Sequence, residues 1–248
     1  MPYYEDFENG TVNGWTFNNS SNGWYVGTAT AKESTYSLYI SNNYGANNEY
    51  ENNTSFSYAY CMLNIEQICL VNVSFDWKSM GEDSWDVLRA FMIPVSKSPN
   101  LNAGSSNDMS GSGNTAPNGW IDVSEADGFM QGSEDWQHST RNVVLLETGN
   151  YYLVFFWKND GYVGINPPAA VDNISVEMVS TCLPVANVSV DNYDKYSSEI
   201  SWDASGTVSP WQVLVSQSAS VSEATETPLL VNSTTANVSN LTPGTEYY

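Results

Sequence analysis

The acidic side chains are the residues of this chain with the clearest chemical potential. They number 28, against 7 lysines and arginines, which gives a formal net charge of −21. Asp172 stands out because it opens a strand-like stretch in which Ile174, Val176 and Met178 alternate with polar residues. Alternation with a period of two puts Asp172 on the apolar face, at the rim of the core. A carboxylate in that position needs a cation, a hydrogen-bond donor or a metal ion.

Two roles fit a carboxylate placed like Asp172. Calcium is bound by six to eight oxygen atoms from carboxylates, asparagines and backbone carbonyls, and an Asn- and Asp-rich chain supplies these. Alternatively, Asp172 caps a turn by accepting bonds from backbone N–H groups. The sequence contains no EF-hand loop that would decide between the two.

Aromatic residues offer a second kind of chemistry, the stacking of sugar rings. The chain has nine tryptophans and sixteen tyrosines. Most tryptophans are expected in the core, because aromatic side chains dominate sandwich interiors. Tyr44 and Trp120 differ because asparagine and glycine flank them. We therefore predict that these two side chains are exposed and bind a ligand.

A catalytic constellation is not evident. The single histidine is His138, and its neighbours in the sequence point to opposite faces if the stretch is a strand. A Ser-His-Asp triad needs partners from separate positions, so a surface histidine is the expectation. With 28 acids a pair of carboxylates for glycoside hydrolysis stays open, but no spacing selects one. We predict that the chain is not an enzyme.

The three cysteines, Cys61, Cys69 and Cys182, are an odd number and cannot form a complete disulfide framework. Cys61 and Cys69 are predicted either to pair across a hairpin or to be buried free thiols. Their spacing does not match a zinc site.

Charge and hydropathy restrict the partners and the location. A surface with a net charge of −21 repels nucleic acid and anionic membranes. No apolar run approaches the roughly 20 residues of a membrane span, and no signal peptide follows Met1. Since residues 245–248 lie within a strand-like pattern, we expect an internal piece of a longer, exported protein.

Short strands separated by turns are predicted along the whole chain. The clearest are residues 71–77, which alternate, and residues 151–157, which are apolar without interruption and predict a strand covered on both faces. No amphipathic helix is evident, so a β-sandwich is favoured. Residues 96–119 are rich in Gly, Ser and Asn; we favour a mobile surface insertion there over a binding loop.

The sequence changes character near residue 181, where we place a domain boundary. Residues 181–248 resemble a fibronectin type III domain through Pro184, Trp202 and residues 241–247, LTPGTEY. The resemblance implies a tyrosine corner in which the Tyr247 hydroxyl is tied to upstream backbone. The last two strands of such a domain are missing. We therefore expect this segment to be poorly ordered alone, or to be completed by another chain.

Four motifs occur in order in residues 1–180: EDFENG at 5–10, VSFDW at 73–77, GNYYLVF at 149–155 and VDNI at 171–174. Through these motifs the segment resembles the cleaved-adhesin, or MAM-like, jelly-roll domains of Bacteroidetes surface proteins. The resemblance implies an all-β jelly roll whose first and last strands are neighbours. It also implies structural calcium held by Glu8 and Asp172, with Asp6 and Asn173 as further ligands.

These observations lead to an expected function. The chain is predicted to be a non-catalytic, extracellular or cell-surface module of a larger bacterial protein that binds a host or matrix protein, or a glycan. The alternatives are a carbohydrate-binding module of a larger glycan-degrading enzyme and a structural spacer. A jelly roll followed by a fibronectin type III domain is a familiar pairing in such surface proteins.

Overall fold

The computed structural model describes residues 2–12, 14–124, 128–180, 185–204, 210–220 and 226–248, and every structural statement below concerns these residues. The chain divides into two compact units, Met1–Thr181 and Cys182–Tyr248. Cys182 and Pro184, which belong to the predicted boundary and second domain, lie outside the described residues.

The first unit contains eleven of the described strands. They are β1 Tyr3–Glu5, β2 Trp15–Asn18, β3 Gly23–Gly27, β4 Ser37–Ser41, β5 Ser55–Ile65, β6 Cys69–Ser79, β7 Val87–Pro94, β8 Ile121–Asp122, β9 Ser133–Leu145, β10 Gly149–Asn159 and β11 Ala170–Ser180. A 3₁₀ turn at Val95–Lys97 follows β7.

Two antiparallel sheets form a jelly-roll β-sandwich in this unit. One sheet has the order β3-β4-β11-β6-β9, with β1 also paired to β11; the other has the order β2-β5-β10-β7-β8. The first and last strands are therefore neighbours, with Tyr4 opposite Ser175. The apolar faces of both sheets meet in one core, in which Phe75 of one sheet packs edge to face on Phe155 of the other at 5.0 Å.

Strand β10 is buried over most of its length, as its uninterrupted apolar run predicts. Tyr151, Leu153 and Phe155 face the core between the sheets, whereas Val154 and Phe156 face the opposite side. This second face is covered as well, so both faces of β10 are excluded from water.

The long segment between β7 and β8 provides that second cover. Leu101, Met109 and Trp120 are buried against the outer face of β5, β10 and β7. The Tyr58 hydroxyl donates to the carbonyl of Ser105 at 2.6 Å. The interpretation of residues 96–119 as a mobile surface insertion is therefore wrong: their apolar residues pack onto the sheet.

Two buried cations on β7 and β10 hold the same segment against the sheet. The Arg89 guanidinium donates to the carbonyl of Asn114 at 2.7 Å and pairs with Asp122 at 2.5 Å. The Lys158 ammonium donates to the carbonyl of Gly111 at 2.7 Å. Burial, and to a smaller extent the charge of Arg89, lower the pKa of Lys158 to about 8.

A β-bulge interrupts β11 where the sequence predicts regular alternation. The register against β6 shifts between Asp172 and Ser175, and Asn173 has a φ of 50°. Val171 and Ile174 therefore both face the core. Met178 shares the face of Ile174 and Val176, as predicted, because it lies opposite Val71, but near the end of the strand it is 45% exposed.

The described residues of the second unit form two small antiparallel sheets. Strands β12 Val185–Tyr193, β13 Ser198–Ala204 and β16 Thr235–Val238 make one, and β14 Trp211–Val213 and β15 Leu229–Val231 the other. The Tyr247 hydroxyl accepts the N–H of Thr242 at 2.9 Å, which is the bond that a tyrosine corner requires. Assignment to the fibronectin type III family stays a prediction.

Two further expectations concern cysteines and membranes. Cys61 and Cys69 are free and buried, so the buried-thiol alternative is confirmed over the disulfide. Burial raises the pKa of the Cys61 thiol to about 12.

In the described part of the chain, no helix is long and apolar enough to cross a membrane.

Replacing Trp120 by alanine tests whether the segment between β7 and β8 contributes to stability. Trp120 is 9% exposed and packs edge to face on Phe91 at 5.2 Å. Trp120→Ala is expected to lower the free energy of unfolding of the first unit by about 3 kcal/mol, the scale of burying a large aromatic side chain. Met62→Ala, at an exposed position, is the matched control and should change it by less than about 0.5 kcal/mol. Equal urea midpoints for the two variants would show that the segment is not packed.

Candidate functional site

The predicted calcium ligands lie around the loop that joins β3 to β4. Glu8 accepts the backbone N–H groups of Thr35 and Tyr36, at 3.1 and 2.9 Å. Asp172 accepts the N–H of Lys32 at 2.9 Å and that of Asn173 at 2.8 Å. Asp172 thus holds the middle of this loop and Glu8 its end, and the pairing of β1 with β11 brings the two carboxylates there.

Asp172 is buried and forms no ion pair among the described residues. Burial is the main reason that its pKa is raised from 3.8 to about 6, and the charges of Glu8 and Asp76 raise it further. The turn-capping role that the sequence left open is present, since both bonds of Asp172 come from backbone N–H groups. The negative charge of Asp172 is nevertheless unfavourable in this buried position, and a nearby cation would stabilise it.

The other two predicted ligands, Asp6 and Asn173, form hydrogen bonds elsewhere. One oxygen of Asp6 accepts the N–H of Glu8 at 3.1 Å, which holds the turn after β1. The amide of Asn173 donates to Asp76 at 2.8 Å. Glu8 and Asp172 are therefore the pair that the structure brings together, and a calcium site there stays a prediction.

His138 forms a dyad with Asp76 on the outer face of the six-stranded sheet. Its Nδ1 lies 2.9 Å from an oxygen of Asp76, and the imidazole is exposed. Among the described residues no serine or threonine hydroxyl is hydrogen-bonded to its other ring nitrogen. The arrangement thus lacks the nucleophile that a hydrolytic triad needs.

A cluster of three carboxylates at the end of β10 was not predicted. One oxygen each of Glu82, Asp86 and Asp160 lies within 4.8 Å of the others, so the cluster could hold a metal ion. Asp86 accepts the hydroxyl of Tyr50 at 2.5 Å and the N–H of Asp160 at 2.9 Å. Oε2 of Glu82 is buried without a hydrogen-bond partner among the described residues.

The charges of this cluster are mutually unfavourable. Burial raises the pKa of Asp86 to about 6, and the negative charges of Asp160 and Glu82 add to the shift. The sequence signal was the acidic run at 82–86 and Asp160, each at a strand end. Their proximity depends on the antiparallel pairing of β7 with β10, which the residues alone do not reveal.

The two predicted ligand-binding aromatics have opposite environments. Tyr44 is 88% exposed and its ring touches only the edge of Tyr25 among the aromatic contacts of the described residues, at 6.4 Å. Trp120 is packed against Phe91 and offers no free face in this conformation. Its flanking asparagine and glycine gave a misleading signal, because they belong to a segment that folds back onto the sheet.

A second exposed tyrosine stands on the neighbouring loop. Tyr162 is 83% exposed in the loop after β10. Asn52 donates to the carbonyl of Tyr162 at 2.9 Å, and the N–H of Tyr50 donates to Asn166 at 3.0 Å. The loop bearing Tyr44 and the loop bearing Tyr162 are therefore joined, and the acidic cluster lies at the base of the second one through Asp160.

Comparisons with known proteins find only distant similarities. No family model and no curated protein matches the chain. The xylan-binding domain CBM22-1 of Paenibacillus barcinonensis Xyn10C is 14% identical, with a TM-score of 0.46 over 73% of this chain and 95% of that domain.

Two further solved structures are similarly distant. TmCBM61, solved with β-1,4-galactotriose, is 10% identical, with a TM-score of 0.41 over 70% of this chain and 94% of that one. The K1 cleaved adhesin domain of Lys-gingipain from Porphyromonas gingivalis W83 is 13% identical, with a TM-score of 0.42 over 73% and 99%.

The raised pKa of Asp172 predicts how stability depends on pH. Because the folded state holds this proton more tightly than the unfolded state, the contribution of Asp172 is present below about pH 4 and is lost as the pH rises through about 6. Asp172→Asn should therefore flatten the decline in unfolding free energy across this window in chelator. Asp86→Asn should remove a separate part of it, since its pKa is also about 6. Urea titrations from pH 3 to 8 that coincide for Asp172→Asn and the parent would contradict the shift.

Proposed function

We propose that this chain is a non-catalytic, extracellular ligand-binding module that binds a glycan and is stabilised by calcium. The observation that supports it most directly is the pair of strongly exposed tyrosines, Tyr44 and Tyr162, on two loops joined by hydrogen bonds. An exposed ring with an apolar face and a polar edge suits a sugar, which presents C–H groups on its faces and hydroxyls at its rim.

The same loops carry polar groups suited to sugar hydroxyls. Glu49 lies in the Tyr44 loop, where it accepts the amide of Asn47 at 3.0 Å. Asp160 precedes Tyr162 and accepts its N–H at 2.8 Å. A few convergent acceptors beside an aromatic face are what orients a small ligand. The outer face of the five-stranded sheet is less suited, because residues 101–120 cover it.

Calcium is proposed at Glu8 and Asp172. The support is the buried carboxylate of Asp172, whose charge is unfavourable without a cation. Carboxylate oxygens together with backbone carbonyls of the β3–β4 loop would form a ligand set of the kind that calcium prefers. The alternative position is the cluster of Glu82, Asp86 and Asp160.

The other functions expected from the sequence stay predictions. Attachment to a host or matrix protein, service as the carbohydrate-binding module of a larger enzyme, and service as a spacer are each compatible with a β-sandwich. We place glycan binding first because the exposed tyrosines are separate rings with polar neighbours, not a broad apolar patch of the kind that protein partners bury.

Glycan binding is tested with an array of soluble glycans probed by the whole chain in millimolar calcium. We expect one glycan class to bind, and Tyr44→Ala and Tyr162→Ala each to weaken binding by about fivefold or more, the scale of one aromatic contact. Tyr193→Ala removes an equally exposed tyrosine from the second unit and should bind as the parent does. An empty array, or equal loss in all three variants, would refute the proposal.

Calcium is tested by melting the chain in calcium and in chelator. Saturating calcium should raise the melting temperature of the first unit by several degrees, since about 3 kcal/mol is gained at a hundredfold excess over Kd. The rise should vanish in Asp172→Asn and persist in Asp160→Asn. The reverse pattern would move the ion to Glu82, Asp86 and Asp160, and coincident melting curves of the parent would exclude calcium stabilisation.

A further inference from the structure

Tyr50 is a buried residue in the loop between β4 and β5, the loop that bears Tyr44. Its ring belongs to the core of the first unit and packs edge to face on Trp157 of β10 at 5.3 Å. Residues 51–54, which follow it, are exposed. Because a ring packed in the core has little room to move, Tyr50 anchors an otherwise polar loop.

The hydroxyl of Tyr50 holds the second loop, which bears Tyr162. It donates to Oδ2 of Asp86 at 2.5 Å and accepts the backbone N–H of Ile165 at 2.8 Å. Oδ1 of the same carboxylate accepts the N–H of Asp160 at 2.9 Å. Asp160 and Ile165 lie on either side of Tyr162 in the chain. The hydroxyl and the carboxylate together therefore fix both ends of the turn that carries the exposed ring.

Three further contacts join the two loops directly. The N–H of Tyr50 donates to Asn166 at 3.0 Å, and the side-chain amide of Asn52 donates to the carbonyl of Tyr162 at 2.9 Å. Gly164 approaches the first loop so closely that a Cβ atom there would collide with Oδ1 of Asn52 and lie 3.4 Å from the Tyr50 ring. The loops are thus packed on each other, with Tyr50 at their contact.

The position of the Tyr162 ring depends on this support. Since Tyr162 is strongly exposed, packing does little to place its ring, and the backbone of its loop sets where the ring lies. A group that is already held in its binding position loses less conformational entropy when a ligand arrives. Without the Tyr50 hydroxyl, the N–H of Ile165 would lose its acceptor and Asp86 would lose a donor.

We propose that Tyr50 is the positioning residue of the glycan site: its hydroxyl holds the loop of Tyr162 against the loop of Tyr44, so that both rings contact one glycan. This role presupposes the proposed function, because it concerns the same two exposed rings. It adds that the contribution of Tyr162 to affinity depends on a buried residue that the glycan does not contact.

A double-mutant cycle between Tyr50→Phe and Tyr162→Ala tests this role on the whole chain. The probes are soluble oligosaccharides of β-1,4-linked glucose, xylose, mannose and N-acetylglucosamine, titrated calorimetrically in calcium. Tyr50→Phe keeps the ring on Trp157 and removes only the hydroxyl. We expect it to weaken binding about fivefold, as Tyr162→Ala does. Adding Tyr162→Ala to Tyr50→Phe should then cost less than about twofold, because the ring is no longer held in place.

Tyr58→Phe is the matched control. The Tyr58 hydroxyl is also buried, but it donates to the carbonyl of Ser105 at 2.6 Å, in the segment between β7 and β8. Both phenylalanine variants should lower the urea midpoint to a similar extent. Tyr58→Phe should nevertheless bind as the parent does, and Tyr162→Ala should still cost about fivefold in its background. A general loss of stability would not produce this difference.

Asn52→Ala is a second variant, at an exposed position that does not disturb the core. It removes one bond to the loop of Tyr162 and should weaken binding about twofold or more while the urea midpoint stays unchanged. If Tyr50→Phe does not fold, this variant decides, and parental affinity in Asn52→Ala would overturn the role of Tyr50.

The two possible failures are distinguishable. If none of the oligosaccharides binds the parent chain, the proposed glycan function and the role of Tyr50 fail together. If they bind, and Tyr162→Ala costs the same in the Tyr50→Phe and Tyr58→Phe backgrounds, only the role of Tyr50 is wrong.

Discussion

Strand β10 dictates the architecture of the first unit, because it is apolar on both faces and cannot tolerate water on either. Its backbone is satisfied by β5 on one edge and β7 on the other. One face is covered by the six-stranded sheet. The other has no sheet to cover it, so a segment of irregular chain carrying Leu101, Met109 and Trp120 does so instead. A central strand buried on both faces therefore requires the long connection between β7 and β8, and this explains why a polar insertion is ordered.

This cover also accounts for two charges that would otherwise be unfavourable. Arg89 of β7 and Lys158 of β10 lie on the covered face, and both are buried. Both cations donate hydrogen bonds to carbonyls of the covering segment, and Asp122 forms an ion pair with Arg89. Removing the segment would expose apolar rings and remove the acceptors of two cations at once, so the polar and apolar contacts reinforce each other. The ligand-binding surface that we propose therefore lies on the loops that carry Tyr44 and Tyr162, not on the covered sheet face.

Local patterns revealed the strands but not the relations between them. The alternation at 71–77 and the apolar run at 151–157 identified β6 and β10, because period and burial are encoded residue by residue. The bulge at Asn173 was not visible, since any asparagine can occupy a left-handed position and the shift depends on pairing with β6. Asp172 is buried, but its predicted place on the apolar face is wrong: it lies opposite Asp76, and Val171 takes the core-facing position opposite Trp77.

The candidate sites likewise depend on strand pairing that local sequence patterns do not reveal. Glu8 and Asp172 were paired through a resemblance that supplied the strand order, and the structure places both at one loop. Glu82, Asp86 and Asp160 were missed because no resemblance supplied the neighbourhood of β7 and β10. Trp120 was misassigned because its polar neighbours suggest exposure, whereas the apolar face of β10 decides where it lies. Side chains whose environment depends on distant pairing are the ones that a single sequence cannot place.

The acidity of the chain connects these features. A net charge of −21 makes copies of the molecule repel one another, which opposes their association. Burial, and to a smaller extent the charges of neighbouring carboxylates, raise the pKa values of Asp172 and Asp86 and make both harder to ionise. Adding more acids would improve the first effect and worsen the second. A cation held by buried carboxylates relieves only the second effect, since the surface charges that separate the copies stay in place.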